Sequence, residues 1–262
     1  MKARFLLIVC FALFLGFMPT QVKAQYSYGS TGLLHMPTAD MQRDKTFMFG
    51  VGLLNKNMTP PTWSYNTLNY YLNITIFPWL EVDYDLTLFK DWRGIHPHRF
   101  VNQDRQFGAR LRLWKEGWWK PWTPQLVVGM SDIGTHTGRE GGAGIGKESG
   151  NNYFQRLYVA ATKHFMFEGI GELGVHAAFI RGRESMNYFN GPAGGVNFRV
   201  QTPGEGIGQL LLNGVDLMAE YDGQNVNVGG FYHIWNDHIN LIAELHDCKY
   251  FSGGIQFKLY LR

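Results

Sequence analysis

The chain has 262 residues and a formal net charge of +3, which leaves room for one large domain or two small ones. Charged residues make up only 17%, below the roughly 25% of ordinary soluble domains, while aromatics reach 15% and glycines number 32. This balance excludes a disordered chain and argues against a helical bundle, because Gly and aromatics are weak helix formers. No basic run beyond the N-terminus marks a nucleic-acid binder.

Residues 1–24 read as a secretory signal peptide. Lys2 and Arg4 form the positive start, Phe5 to Met18 the apolar stretch, and Val22-Lys23-Ala24 the cleavage site, so cleavage is expected near Ala24. The apolar stretch is shorter than the roughly 20 residues of a membrane-spanning helix. Lys2, Arg4 and Lys23 account for the whole +3, because no Asp or Glu lies before residue 25. Cys10 lacks a lipobox setting, with Val9 before it and Phe11 and Leu13 after it. Once the leader is removed, Cys248 stands alone and no intramolecular disulfide is expected.

The next segment, 25–45, reads as an extended stretch or plug, and 46–262 as a β-barrel. Pro37 would stop pairing within the first of these. From there the sequence alternates with period two. Leu68, Tyr70, Leu72, Ile74 and Ile76 alternate with Asn69, Tyr71, Asn73 and Thr75. After the tight Phe77-Pro78-Trp79 link, Leu80, Val82, Tyr84, Leu86 and Leu88 oppose Glu81, Asp83, Asp85 and Thr87. Two such runs so closely joined predict an antiparallel hairpin. Arg105 to Trp114 repeats the pattern, and Ile255 to Leu261 does so again. Further strands are expected at 46–55, 124–132, 152–163, 171–180, 193–200, 214–221, 225–234 and 238–247, with a short helix in 205–213.

Period alone does not say which face is wet. Segments near ten residues match the roughly 9–11 that a tilted strand needs to cross a bilayer. Aromatics gather at strand ends, notably Trp79, Trp118, Trp119 and Trp122, where an interface favours half-buried rings. Long polar connections at 56–66, 90–103, 133–151 and 181–192 alternate with shorter aromatic ones at 77–79, 115–123 and 164–170, as loops and turns do in outer-membrane barrels. Glu81, Asp83 and Asp85 precede Arg110 and Arg112, so these residues, with Glu220, are expected to line the lumen and to pair across strands. Alternating acidic and basic rungs would suit a hydroxyl-rich chain.

No catalytic signature is visible: G-x-S-x-G, H-E-x-x-H, a P-loop and paired CxxC motifs are absent. Ser131-Asp132 with His136, the pair His96 and His98, and the Gly141–Gly146 run offer scattered chemical material without a matching context. Glu172, His176, Glu244 and His246 fall on expected strands as lumen or paired residues.

Five stretches carry a family resemblance. They are Thr31-Gly32-Leu33-Leu34-His35-Met36-Pro37-Thr38-Ala39, Pro124 through Gly129 with Ser131-Asp132-Ile133-Gly134, Tyr158-Val159-Ala160 with Lys163, Gly191-Pro192-Ala193-Gly194-Gly195, and Ala219-Glu220-Tyr221-Asp222. In this order they resemble the YjbH family of predicted outer-membrane β-barrels associated with exopolysaccharide and capsule production. Many of its members are longer and look like lipoproteins. The resemblance implies a part in polysaccharide export and offers no established catalytic residues to carry over.

The expected fold is therefore all-β, an antiparallel transmembrane β-barrel of about 12 strands, preceded by a signal peptide. The expected role is to assist export or secretion of exopolysaccharide from the outer membrane of a Gram-negative bacterium. Outer-membrane lipid, the polysaccharide and other envelope export proteins are the expected partners. No enzyme activity, cofactor or metal is expected. Two rival readings are an outer-membrane barrel enzyme acting on envelope lipid or glycan through His96, His98, Asp132 or His136, and a soluble periplasmic β-barrel binding an apolar ligand inside.

Overall fold

The computed structural model describes residues 29–90, 99–132, 153–182, 190–204 and 206–261. The expected signal peptide 1–24, His96, His98, His136 and Gly141–Gly146 lie outside the described residues. Strands follow in the order β1 (Thr46–Leu54), β2 (Thr67–Phe77), β3 (Leu80–Lys90), β4 (Phe100–Trp114), β5 (Gln125–Ser131) and β6 (Arg156–Phe167). Then come β7 (Gly171–Gly182), β8 (Gly191–Val200), a short helix α1 (Ile207–Leu212), β9 (Val215–Tyr221), β10 (Val226–Ile234), β11 (Ile239–His246) and β12 (Tyr250–Tyr260). Each strand pairs antiparallel with the next, and β12 returns to β1, so the sheet closes into a twelve-stranded barrel. At the seam Thr46 faces Tyr260, Gly50 faces Gln256 and Leu53 faces Gly253. Closure removes the unpaired edges that an open sheet of this size would expose.

The burial pattern settles which face is which. On β2, Thr67, Asn69, Tyr71, Asn73 and Thr75 are buried, while Tyr70 and Leu72 are exposed. On β3, Glu81, Asp83, Asp85 and Thr87 are buried and their apolar neighbours are half-exposed. The polar side of each alternation thus faces the barrel axis, and the apolar side faces out. A soluble barrel does the reverse. Exposed large apolar residues also cover the outside of β4, β7, β9, β11 and β12, among them Phe107, Phe179, Leu217, Leu241 and Phe251. Exposed apolar surface this extensive marks a face that meets another protein or a membrane.

The structure departs from the sequence reading in three places. β4 begins at Phe100 rather than 105, and β12 at Tyr250 rather than 255. In Gln103-Asp104-Arg105 both faces are polar, so alternation gave no signal, yet pairing with β3 continues to Lys90. In β12, Gly253-Gly254 interrupts the side-chain pattern but not the ladder with β11. β6 runs from Arg156 to Phe167, four residues later than expected at each end; at its start Tyr153 and Phe154 pack against Trp63 instead of joining the ladder. The β2–β3 link is tight, with Phe77 directly opposite Leu80. The region expected to hold a short helix contains α1.

Closure of the seam is testable. Phe49 and Phe257 are direct partners across β1 and β12, with rings stacked 5.1 Å apart. In a variant with Phe49→Cys and Phe257→Cys, and with Cys10 and Cys248 replaced by Ser, mild oxidation should close an intramolecular disulfide, since facing antiparallel Cβ atoms lie about 4.5–5.5 Å apart. A non-reducing gel and thiol counting read the outcome. Two persistently free thiols in the folded protein would contradict closure.

Candidate functional site: the plugged lumen

The segment from Gly29 to Gln42 is buried along its whole length. Its contacts run to β2, β3, β4, β5, β6, β9, β11 and β12, and a segment that touches strands all around a closed barrel lies inside it. Within it, Thr31–Ala39 forms a hairpin-like loop. Gly32 bridges Pro37 and the Leu33 N–H donates to the Met36 carbonyl at 3.1 Å. Pro37, which has no N–H to give, ends this pairing. Gly29 begins the segment at φ +91°, and the Asp85 carboxylate stands where a Cβ would otherwise project.

A loop of this kind cannot satisfy its own backbone, and a buried N–H or C=O left unpaired costs about 1–3 kcal/mol. The wall supplies the partners. The Glu220 carboxylate accepts the N–H groups of Leu34 at 3.0 Å, His35 at 2.7 Å and Met36 at 3.2 Å. Asn227 Nδ2 steadies it from the next strand at 3.0 Å. On the other side, the Glu81 carboxylate accepts the Thr31 N–H and hydroxyl, each at 2.8 Å, and Asn73 Nδ2 at 2.9 Å. Asn73 also donates to the Gly29 carbonyl.

Donors serve the carbonyls. The Arg110 guanidinium reaches the carbonyls of Thr31, Thr38 and Asp40. Gln125 donates to the Ala39 carbonyl, and the Ala39 N–H donates to Thr162 Oγ1 at 2.9 Å. Arg156 donates to the His35 carbonyl at 3.3 Å. The apolar side chains of Leu33, Leu34, Met36, Ala39 and Met41 fill the remaining space against Ala160, Ala178, Ala193, Met218, Phe231 and Ile242 of the wall. Gly195 is the seat of Leu33: a Cβ there would come within 2.5 Å of the leucine methyl.

His35 sits at the loop's tip, with Nε2 3.1 Å from Glu244 Oε2. Burial alone would lower its pKa. Glu244, with Glu220 and Asp222 behind it, overrides burial and raises it to about 9. The tip is thus an imidazolium among carboxylates.

Each end of the lumen carries a further cluster of side chains. At the loop end, Trp63 packs against Tyr65, Phe89, Tyr153 and Phe154 with ring centroids 5.2–6.2 Å apart. Asp132 holds this end by accepting the Phe154 N–H at 3.0 Å. At the turn end, Asp237 accepts from Lys258 Nζ at 2.9 Å and from the Tyr260 hydroxyl at 3.0 Å, with His233 Nδ1 also 3.0 Å away. Burial pushes the Asp237 carboxyl up, but Lys258 and His233 win and hold it well below the usual carboxylate range.

The residues singled out from sequence can now be placed. Glu81, Asp83, Asp85, Arg110 and Glu220 are buried on the lumen side and Arg112 is half-buried. Glu81 stands directly across from Arg110, but Asp83 faces Gly108 and Asp85 faces Gln106, so register does not build a ladder of opposite charges. Of these carboxylates, Glu81 and Glu220 take plug backbone N–H groups as their partners. Trp79, Trp118, Trp119 and Trp122 are exposed in the turns at the end where the barrel's strands begin and finish. Sequence reasoning missed Asn73, Gln125, Thr162 and Glu244 as plug partners. Their inward strand positions were legible, but nothing local marks what an inward residue will touch. Among the described residues no group of His, Cys, Asp or Glu is arranged to hold a metal ion.

Two measurements probe the site. Glu220→Ala leaves the tip amides without their acceptor, so amide exchange at Leu34–Met36 should quicken by at least about tenfold, the equivalent of about 1.4 kcal/mol. Unchanged exchange would contradict the carboxylate's role. The His35 contribution has a definite pH sense. Its pKa is raised from 6.5 to about 9, so the stabilisation is complete below pH 6.5 and is lost as pH rises towards 9. Protection of the segment should fall across that window in the wild type and stay flat in His35→Gln.

Comparison with known proteins fits this architecture to a family. The sequence pattern of the YjbH family, described as "Exopolysaccharide biosynthesis protein YbjH", matches residues 24–253. The "Uncharacterized lipoprotein YjbH" of Escherichia coli (strain K12) is 29% identical over 145 residues, which is 53% of this chain and 17% of that protein. The chain therefore corresponds to a small part of that longer relative. A solved structure of a putative AttH from Nitrosomonas europaea covers 84% of this chain and 94% of its own, at 9% identity and a TM-score of 0.16. A likeness that slight carries no argument. A matched pattern over most of the length, on a closed barrel, does: the chain belongs to the YjbH family of exopolysaccharide biosynthesis proteins.

Proposed function

We propose that the chain is an outer-membrane barrel that assists export or secretion of exopolysaccharide, with residues 29–42 as its plug. The observation that carries this reading is the inverted wall, apolar outside and polar within, closed without an edge. The N-terminal 24 residues supply the export signal, cleaved near Ala24, and the lipoprotein relative belongs to a Gram-negative bacterium. The exposed Trp79, Trp118, Trp119 and Trp122, joined by Trp235, Ile207 and Leu211, form an interfacial belt at the turn end.

The lumen is more acidic than the sequence reading anticipated. Buried Glu81, Asp83, Asp85, Asp104, Asp216, Glu220 and Glu244 outnumber buried Arg110, Arg156 and Lys258. Such a passage favours a neutral glycan over an anionic one once the plug moves. Outer-membrane lipid and other envelope export proteins complete the partner set, with no catalytic step, cofactor or nucleic acid. The soluble alternative requires an apolar interior open to a ligand, whereas this interior is polar and filled by the chain itself.

Fractionation tests the location. The chain should stay with the membrane pellet until detergent is added and should show heat-modifiable mobility on gels. Release without detergent would overturn the reading. Leu217→Arg, at an outward position 58% exposed, should cost up to about 2–4 kcal/mol of stability in bilayers, against near-neutrality on a water-facing wall. Loss of the chain, in a background without paralogues, should reduce surface polysaccharide, and unchanged polysaccharide would count against the export role.

A further inference from the structure

The plug's outgoing stem meets the wall at Asp40. The Arg110 guanidinium donates to its carbonyl at 2.6 Å, and Gln125 Nε2 lies 3.4 Å from its carboxylate. Two imidazoles flank the same carboxylate, His164 Nε2 at 3.5 Å and His176 Nδ1 at 3.9 Å. These histidines have different further partners. His176 is buried and tied within the wall, to Thr162 and Asn197, each at 2.9 Å. His164 leads outward, because its Nδ1 donates to Glu116 Oε2 at 2.6 Å.

Glu116 stands on the turn of residues 115–123 between β4 and β5, and it ties that turn to β6. It accepts the His164 N–H at 3.0 Å and Lys163 Nζ at 2.8 Å. Lys163 also donates to the Pro121 carbonyl at 2.7 Å. Lys163 and His164 are consecutive on a strand, so their side chains point to opposite faces. A carboxylate that reaches both lies across the rim of the wall. Burial pushes the Glu116 carboxyl up, but His164 and Lys163 outweigh it and hold it down to about 2. His164 thus has an acceptor at each ring nitrogen, one on the turn and one on the plug.

The turn is braced internally. The Gly117 N–H donates to the Thr123 carbonyl at 3.0 Å, that of Trp118 to Lys115 at 3.1 Å and that of Thr123 to Lys120 at 2.9 Å. Below it the β4–β5 register shifts between Arg112 and Trp114, an irregularity of the kind that bends a strand. The ladder's last pair is Trp114 with Leu126, so the turn can swing without breaking it. Trp118, Trp119 and Trp122 are 65–68% exposed and give the turn a grip on its surroundings.

We propose that the β4–β5 turn is a lever on the plug and that Glu116 is the positioning residue that couples them through His164. The inference rests on the plug reading above. Swinging the turn away from β6 withdraws Glu116, leaves His164 without the carboxylate that orients it and loosens the stem at Asp40. Hydrogen-bonded side chains of this kind can carry coupling between an exposed segment and a buried one.

Planar-bilayer recording of the full chain reads release of the plug, with a variant lacking 29–42 as the open reference. Glu116→Ala should give brief steps of the reference conductance at least about tenfold more often than wild type. Asp40→Asn should do likewise. The double variant should open no more often than the more active single variant, because both residues act through His164. Lys115→Ala, an exposed neighbour in the same turn, should stay as silent as wild type. Heat-modifiable mobility shows that each barrel has assembled. Glu116→Gln keeps the side chain's length, loses its charge and decides the matter if the alanine variant does not assemble. A folded Glu116 variant no more active than wild type, equal activity in Lys115→Ala, or full additivity in the double variant overturns the proposal. If the reference conducts while the Glu116 variant is silent, the plug reading stands and the lever falls. If the reference is itself silent, both fall.

Discussion

Irregular backbone buried inside a closed barrel has no sheet to pair with, and this constraint organises the interior. Every N–H and C=O of residues 29–42 that turns away from its own loop must find a side chain on the wall. The tip amides need acceptors, which Glu220 provides, and the first turn of the loop needs another, which Glu81 provides. The carbonyls need donors, hence Arg110 and Gln125. Glu81, Arg110 and Glu220 are thus arranged around a peptide rather than around one another.

Much of the fold was legible because period-two alternation survives wherever one face meets apolar surroundings and the other meets polar ones. Leu80 to Phe89 is such a run, and its boundaries came out nearly as expected. The signal fails where a strand continues past the apolar band, as at Gln103-Asp104-Arg105, or where glycine replaces side chains, as at Gly253-Gly254. Alternation also assigned Glu81 and Glu220 to one face without naming their partners, because contacts 50 and 186 residues apart leave no local trace. The family-like stretches hold that missing information. Thr31–Ala39 is the plug loop itself, while the others contain Gln125, Asp132, Ala160, Gly195 and Glu220, which hold, seat or cap it.

The plug, the aromatic cluster around Trp63 and the Asp237–Lys258 network occupy the barrel at three levels, and of these the plug fills the middle. The hydrogen bonds to the plug are individually modest but fall in a desolvated space where loss of either partner is costly. Under the export role proposed above, passage of a glycan would exchange these contacts for sugar hydroxyls, which donate and accept in the same places. The wall residues that hold the plug would then also serve its replacement, and the plug's charged tip at His35 links its hold to pH.

Single-channel recording in planar bilayers tests the central claim most directly. If side chains of the wall hold residues 29–42 inside the lumen as a seal, the intact chain will be electrically silent. A variant lacking 29–42 will give stable, cation-preferring conductance steps. Equal conductance from the two proteins would contradict the account.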